Sequence, residues 1–146
     1  MNVYFICTGN TCRSPMAEAI LRSKAIDNVS VRSAGIYARD GWPISLNAKM
    51  LIESADMPYT TVSEEVTEEN LEWADIVLTM TQSHRENLLN SYPEMGDKVF
   101  TIKGYAESGL TGDVQDPFGG DLETYRQAFN ELSKIIDVLE HKLTGE

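Results

Sequence analysis

The sequence has few cysteines, few histidines and no long apolar run. Two cysteines and two histidines occur among 146 residues, without Cys-x2-Cys spacing, so we expect no metal site. Apolar stretches such as 3–6 and 76–78 fall far short of the roughly 18 residues that span a bilayer, which excludes a membrane protein. Because no basic leader precedes the first apolar run and cysteines are scarce, we expect a reducing, cytoplasmic location.

Positive charge is also scarce. Lys and Arg number 12 against 23 for Asp and Glu, which gives a formal charge of −11. A negative field repels nucleic acid and anionic lipid, and the sequence shows no basic patch, so we expect neither as a partner. Hydrophobic residues make up 42% of the chain, enough for one core, and we expect residues 1–146 to form a single domain.

Short apolar runs alternate with helical patterns along the chain. We expect strands at 2–6, 29–33, 76–80 and 99–102, with a turn at Ala34-Gly35. Helices are expected at 15–26, 45–55, 67–73, 81–92 and 121–143, with Thr67 and Thr81 as caps. The alternation predicts an α/β fold with a parallel sheet wrapped on both sides, and such sheets bind ligands beyond the carboxyl ends of their strands. The first such end is at Cys7.

The loop from Cys7 to Pro15 combines a thiol, a glycine, an asparagine and an arginine ahead of a helix. Backbone N–H groups at a helix N-terminus favour negative charge, so the loop is a candidate anion cradle. In such a place a cysteine pKa can fall from ~8.5 to ~3.5–7.5. Arg13 can grip two oxygens of a tetrahedral anion, while Gly9 and Asn10 allow the backbone to curl.

The pattern Cys7-x5-Arg13-Ser14 near the N-terminus resembles the low-molecular-weight protein tyrosine phosphatases. The resemblance continues in four further segments, Pro15-Met16-Ala17-Glu18, Ser33-Ala34-Gly35, Ala74-Asp75-Ile76-Val77-Leu78 and Asp116-Pro117-Phe118-Gly119. It covers nearly the whole chain. It implies the fold of that family, a four-stranded parallel sheet with helices on both faces, Rossmann-like in architecture.

The resemblance also implies the roles of the site residues. Cys7 is the expected nucleophile, forming a phosphocysteine, and Arg13 the ligand of the phosphate and the transition state. Ser14 would steady the thiolate, Asn10 would organise the loop, and Asp116 would act as general acid and then as base. The other residues expected to bind the phosphate or the substrate are Thr8, Gly9, Thr11, Cys12 and Phe118.

Two further expectations concern the reaction. Asp113 is a rival for the acid, but it lacks the proline that follows Asp116 and holds it in an extended conformation. Because a thiolate, an arginine, backbone amides and one carboxyl complete the chemistry, we expect no cofactor. Phosphate, arsenate and vanadate should compete for the site.

Thr11 is the residue that most affects the expected substrate. The order Cys-Thr-Gly-Asn-Thr-Cys-Arg-Ser resembles the bacterial protein-arginine phosphatases, and a hydroxyl beside the phosphate suits a guanidinium better than an apolar ring. We therefore expect phosphoarginine in proteins as substrate, with phosphotyrosine as the alternative. Phe118 is followed by Gly119, so a second stacking ring is missing there, although Tyr37 and Trp42 could supply one.

Two other classes remain as competitors. A thioredoxin-coupled arsenate reductase shares the cradle but needs a cysteine pair further along, and no cysteine follows Cys12. A phosphocysteine carrier domain must keep its intermediate from water, so Arg13 and an acid at Asp116 would be unexpected in it.

Further expectations concern the histidines and Cys12. Relatives place a histidine behind the phosphate loop in a segment corresponding to 61–65, where this sequence has none, and no substitute is evident. His84 and His141 are expected to be solvated helix residues. Cys12 is either inert or able to capture oxidised Cys7 as a disulfide.

Overall fold

The computed structural model describes residues 1–106 and 112–145. Its strands are β1 (Asn2–Cys7), β2 (Ser30–Gly35), β3 (Ile76–Thr79) and β4 (Val99–Thr101). Its helices are α1 (Arg13–Ser23), α2 (Leu46–Ser54), α3 (Glu68–Trp73), α4 (Gln82–Ser91), α5 (Ile102–Ala106) and α6 (Leu122–Thr144), with a 3-10 turn at Pro93–Met95.

The four strands form one parallel sheet in the order β2-β1-β3-β4, which confirms the predicted fold class. β1 lies inside the sheet, and successive side chains of a strand point to opposite faces. Val3 and Phe5 pack with α1, α2, α5 and α6 on one face, whereas Tyr4 and Ile6 pack with α3 and α4 on the other. Both faces are therefore covered, as a parallel sheet requires.

The two predicted helix caps, Thr67 and Thr81, are confirmed, and Asp121 caps α6 in the same way. The side chains of Thr67, Thr81 and Asp121 accept hydrogen bonds from the N–H groups of Asn70, His84 and Thr124. α6 buries a stripe that includes Tyr125, Leu132 and Ile136 in the core, where the helix packs on α1, α2 and α5. No helix within the described part of the chain combines the length and apolarity needed to cross a membrane.

Two sequence predictions about strand ends are wrong, and one helix was missed. The turn expected at Ala34-Gly35 is instead the end of β2, because both residues pair with β1, Gly35 opposite Cys7. Ile102, expected in the fourth strand, is the first residue of α5. α5 itself was missed, since its five residues are too few for a helical period to show.

Candidate active site

The loop between β1 and α1 wraps around the sulfur of Cys7 at the carboxyl edge of the sheet. Cys7 is buried, and its Sγ lies 2.8 Å from Ser14 Oγ and 3.3 Å from the N–H nitrogen of Asn10. A cavity of about 180 Å³ opens above it, lined by Cys7, Thr8, Gly9, Thr11, Cys12, Arg13, Asp116 and Phe118. The structure thus brings eight of the ten predicted site residues to one cavity, and Asn10 and Ser14 lie behind the sulfur.

Asn10 holds the turn of this loop. Its backbone is left-handed, with φ of 53°, a conformation that asparagine tolerates better than most residues. Its Nδ2 donates to Ser14 Oγ at 2.8 Å and to Ser33 Oγ at 3.0 Å, and its Oδ1 accepts from the N–H of Glu64 at 2.9 Å. The side chain therefore ties the loop to β2 and to the segment that follows α2.

Segment 61–65, which contains no histidine, also supports the loop. Ser63 is buried, and its hydroxyl donates to the carbonyl oxygen of Asn10 at 2.7 Å. Together with the Glu64 N–H, it provides two polar contacts on Asn10 from this segment. Neither contact was identified from the sequence, because both join residues more than fifty positions apart.

Gly35 makes a close approach to the loop. A Cβ built at this position would lie 2.6 Å from the nitrogen of Asn10 and 2.6 Å from the carbonyl oxygen of Thr8. Only a residue without a side chain leaves room for the loop to rest on the end of β2.

Arg13 is buried and held at the cavity wall by two contacts. Its NH1 donates to the carbonyl oxygen of Val114 at 3.1 Å, and its NH2 lies 3.5 Å from Asp116 Oδ2. The side chain of Asp116 is 53% exposed, and its Oδ1 accepts from the N–H of Phe118 at 3.0 Å. The guanidinium and a carboxylate that solvent can reach therefore face the same space.

Asp113, the rival acid, has a different position. Its Oδ1 accepts from the N–H of Gln82 at 2.9 Å, at the start of α4, and it does not line the cavity. Its carboxylate is used at a helix N-terminus, where negative charge is favourable.

Burial raises the pKa of the Cys7 thiol above its ordinary value. Hydrogen bonds from Ser14, the charge of Arg13 and the Asn10 N–H act in the opposite direction. The expectation of a lowered pKa is therefore wrong for this arrangement, because the loss of water around the sulfur outweighs these contacts. Ionisation of the thiol depends on the hydrogen bonds that the loop supplies.

His84 is a site residue that the sequence prediction missed. Instead of being solvated, it is 7% exposed, and its Nε2 lies 2.7 Å from Thr8 Oγ1. Burial, followed by the charge of Arg13, lowers its pKa to about 4, so the ring is neutral at physiological pH. The sequence did contain one indication of this position. His84 lies in the first turn of the helix that follows β3, at the carboxyl edge of the sheet, where the loop between β1 and α1 also lies. His141 is exposed.

Cys12 contacts a buried tyrosine on α6. Its Sγ lies 3.2 Å from the hydroxyl of Tyr125, and burial raises the pKa of Tyr125 to about 12, with Cys12 acting in the same direction. Cys7 and Cys12 are both free thiols. Tyr125 therefore joins the phosphate loop to the long C-terminal helix.

The two aromatic residues considered for the rim lie outside the cavity lining. Tyr37 and Trp42 are 70% and 55% exposed. The N–H of Tyr37 donates to the carbonyl oxygen of Thr8 at 2.8 Å, so its backbone borders the loop. Trp42 is covered by the guanidinium of Arg39, 4.9 Å from the ring centroid. Among the residues that the structure describes, Phe118 is the single ring that lines the cavity.

Within residues 1–106 and 112–145, no three or more His, Cys, Asp or Glu side chains come together in a group that could hold a metal ion. The chemistry available at the cavity comes from a thiol, a guanidinium, a carboxylate and backbone N–H groups. These groups suit nucleophilic attack on a bound oxyanion followed by proton transfer.

Known proteins resemble this one over almost its whole length. The family model described as low molecular weight phosphotyrosine protein phosphatase matches residues 2–146. The structure of YwlE arginine phosphatase from Geobacillus stearothermophilus is 43% identical and superposes with a TM-score of 0.95, covering 99% of this chain and 93% of that one. A YwlE arginine phosphatase C7S mutant with a phosphorylated active site serine is 40% identical, with a TM-score of 0.93 and coverage of 99% and 96%.

A tyrosine phosphatase is also among the relatives. The low molecular weight protein-tyrosine-phosphatase PtpB of Staphylococcus haemolyticus is 38% identical over 139 residues, which cover 95% of this chain and 97% of that protein. The match of the family model over almost the whole length and the shared fold lead to one assignment: the chain belongs to the low molecular weight phosphotyrosine protein phosphatase family.

Proposed function

We propose that residues 1–146 form a single-domain, cysteine-dependent protein phosphatase that hydrolyses phosphoarginine through a phosphocysteine intermediate. The observation that carries the substrate assignment is the composition of the cavity wall. It presents the hydroxyl-bearing side chain of Thr11, the carboxylate of Asp116 and the aromatic ring of Phe118, while Tyr37 and Trp42 do not line it. A guanidinium gains from nearby oxygen atoms and negative charge, whereas a phenyl ring gains from flanking aromatic faces.

In the first step Cys7 is ionised and Asp116 is protonated, and the Cys7 thiolate attacks phosphorus. The S–P bond forms, the P–N bond breaks, and the leaving guanidine nitrogen takes a proton from Asp116. Arg13 and the loop N–H groups stabilise the charge on the equatorial oxygens. The side chain of Asp116 can deliver this proton because it borders the cavity and is half exposed.

In the second step water attacks the phosphocysteine. Asp116, now ionised, accepts the proton of the water, the S–P bond breaks, and inorganic phosphate leaves with the Cys7 thiolate regenerated. The arginine phosphatase relative that carries phosphate on its active site serine supports transfer of the phosphoryl group to this position.

The site also supports three narrower proposals. Phosphate, arsenate and vanadate compete with the substrate, because each is a tetrahedral or near-tetrahedral oxyanion that Arg13 and the loop can bind. Phosphorylated proteins are the substrates. The enzyme works in the cytoplasm, where a reducing environment keeps the nucleophile a free thiol.

The experiment that tests the proposal compares kcat/KM on one peptide carrying phosphoarginine and on a matched peptide carrying phosphotyrosine. We expect the phosphoarginine peptide to be preferred by about tenfold or more, the least that a difference of one small group in a binding pocket produces. Cys7→Ser is the control and should be inactive on both. A preference for the phosphotyrosine peptide would overturn the substrate assignment in favour of tyrosine phosphatase activity, which the relationship to PtpB represents.

A further inference from the structure

A buried carboxylate that the proposed mechanism does not use lies behind the phosphate loop. Glu18 of α1 is 4% exposed. Its Oε1 accepts from the hydroxyl of Ser33 at 2.7 Å, and its Oε2 accepts from the hydroxyl of Thr60 at 2.6 Å and from NH1 of Arg22 at 3.2 Å. Burying a carboxylate is costly unless its oxygens are paired, and here both are.

The contact with Ser33 fixes the direction of the next hydrogen bond. A serine hydroxyl carries one proton, and Ser33 gives it to Glu18. Its oxygen is therefore left to accept, and Asn10 Nδ2 donates to it at 3.0 Å. A hydrogen bond to a carboxylate is stronger than one between neutral groups, and it polarises the bonds that follow it.

The chain continues from Asn10 to the sulfur. The same Nδ2 donates to Ser14 Oγ at 2.8 Å, so this hydroxyl also accepts from Asn10. The proton of Ser14 is then free to point at Cys7 Sγ, 2.8 Å away, and the other acceptor near it, the carbonyl oxygen of Ala34, lies farther off at 3.4 Å. An unbroken line of side chains thus joins the carboxylate to the nucleophile.

We propose that Glu18 is a positioning residue that acts through Ser33 and Asn10 so that the Ser14 hydroxyl donates its proton to the sulfur of Cys7. The proposal rests on the proposed role of Cys7 as nucleophile. Glu18 itself does not touch the substrate. It orients the groups that stabilise the ionised sulfur, whose burial otherwise works against ionisation.

Other charged groups lie near the two ends of this series of hydrogen bonds, Glu18 and Cys7, and must stay unchanged in any test. A cavity of about 570 Å³ beside the edge strand β2 brings Arg22, Arg32 and Glu64 to the end occupied by Glu18. At the other end, the groups that share the cavity of Cys7 are Cys12, Arg13 and Asp116. None of these is altered in the variants below.

The test is a double-mutant cycle on the titration of Cys7. Iodoacetamide alkylates thiolates, and fragment mass spectrometry separates modification of Cys7 from that of Cys12 across a pH series. We expect Glu18→Gln and Ser33→Ala each to raise the Cys7 thiol pKa by about half a unit to one unit, which slows alkylation at neutral pH about 3- to 10-fold. In the double variant we expect no further change, because either single substitution already interrupts the series of hydrogen bonds between Glu18 and Cys7.

Thr60→Val is the matched control. It removes the other hydroxyl that Glu18 accepts from but leaves the Ser33 arm in place, so it should not shift the titration. Should Glu18→Gln fail to fold, Glu18→Asp keeps the charge but shortens the reach to Ser33, and we expect it to shift the titration in the same direction.

Two outcomes would overturn the proposal. One is a Cys7 titration that does not move in a folded Glu18 variant. The other is a double variant whose shift is the sum of the single shifts, since Glu18 would then act on the fold and not through Ser33. Either result leaves the proposed phosphatase activity intact, because that is decided separately by the loss of turnover in Cys7→Ser.

Discussion

Thr8 Oγ1 and His84 Nε2 lie 2.7 Å apart, which joins the mouth of the phosphate loop to the first turn of α4. The imidazole is buried, and its Nδ1 finds no hydrogen-bond partner among the described residues. Burial and the neighbouring Arg13 lower the pKa of His84 to about 4, against opposing contributions from Asp113 and Asp116. The ring is therefore neutral at physiological pH, and the low pKa comes from its burial and from Arg13.

The lowered pKa of His84 predicts a loss of stability in acid. Above the unfolded value of 6.5 both states hold a neutral ring, and His84 adds no pH dependence. As the pH falls from 6.5 towards 4, the unfolded chain binds the proton first and the folded state is destabilised. The full shift corresponds to about 3 kcal/mol, which partial contact with solvent reduces to about 1–2 kcal/mol.

The measurement is the free energy of unfolding by denaturant at a series of pH values, for the natural protein and for His84→Gln. We expect the variant to lose less stability between neutral pH and pH 4, because glutamine does not titrate. His141→Gln, which replaces the exposed histidine, is the control. Equal acid losses in the natural protein and in His84→Gln would refute the prediction.

Asp116 and Asp113 should differ in their effects on turnover. General acid and base catalysis contributes about 10²- to 10⁴-fold to a rate, so Asp116→Asn should lower kcat on phosphoarginine by that order. Asp113→Asn removes a carboxylate that accepts from the start of α4 and should change kcat only a few-fold. Steady-state kinetics of both variants checks this.

A second substrate separates acid catalysis from a general disturbance of the site. With p-nitrophenyl phosphate the leaving group needs little protonation, so the first step should suffer much less in Asp116→Asn than it does with phosphoarginine. Burst kinetics isolates that step. Equal losses on both substrates, or a larger loss in Asp113→Asn, would remove Asp116 from the role of acid.

Thr11 should set the preference between substrates. Thr11→Ile replaces a hydroxyl at the cavity wall by an apolar group, and we expect the ratio of kcat/KM for phosphoarginine over phosphotyrosine to fall about tenfold or more. Thr11→Val keeps the branched shape and loses only the hydroxyl, so it shows how much of the change in this ratio comes from the hydroxyl. An unchanged ratio in both variants would mean that Thr11 has no part in substrate choice.

Cys7 and Cys12 should form a disulfide on mild oxidation. Peroxide converts Cys7 to a sulfenic acid, and condensation with the Cys12 thiol releases water and forms the S–S bond, which prevents over-oxidation. Peptide mass mapping after peroxide treatment should find the link, and a thiol reductant should restore activity. In Cys12→Ser we expect oxidation to become irreversible. Full recovery in that variant would exclude a protective role for Cys12.

The sequence predicted those parts of the molecule in which the chemistry is contiguous along the chain. β1, the loop from Cys7 to Ser14 and the start of α1 follow one another, so strand, anion cradle and helix could be read from one stretch. The caps at Thr67 and Thr81 were likewise local and correct. The placement of Asp116 at the cavity came from the family resemblance, since nothing local ties it to Cys7.

The supporting contacts could not be predicted because they join distant segments. Thr8 meets His84 across 76 positions, and Asn10 meets Ser63 across 53. A single sequence shows residue types and spacing but not which polar side chains become buried together. The direction of the Cys7 pKa was wrong for the same reason, since it depends on how completely the folded chain removes water from the sulfur.

The absence of a side chain at Gly35, the last residue of β2, has a consequence for how the activity could be lost. Because a methyl group at Gly35 would collide with backbone atoms of Asn10 and Thr8, even alanine there must lift the loop off its seat. The sheet and its helices would have no reason to come apart, since the collision involves the loop alone. The protein can thus keep its fold and yet lose the cavity that receives the anion. Gly35 preserves that cavity because it leaves room for the loop.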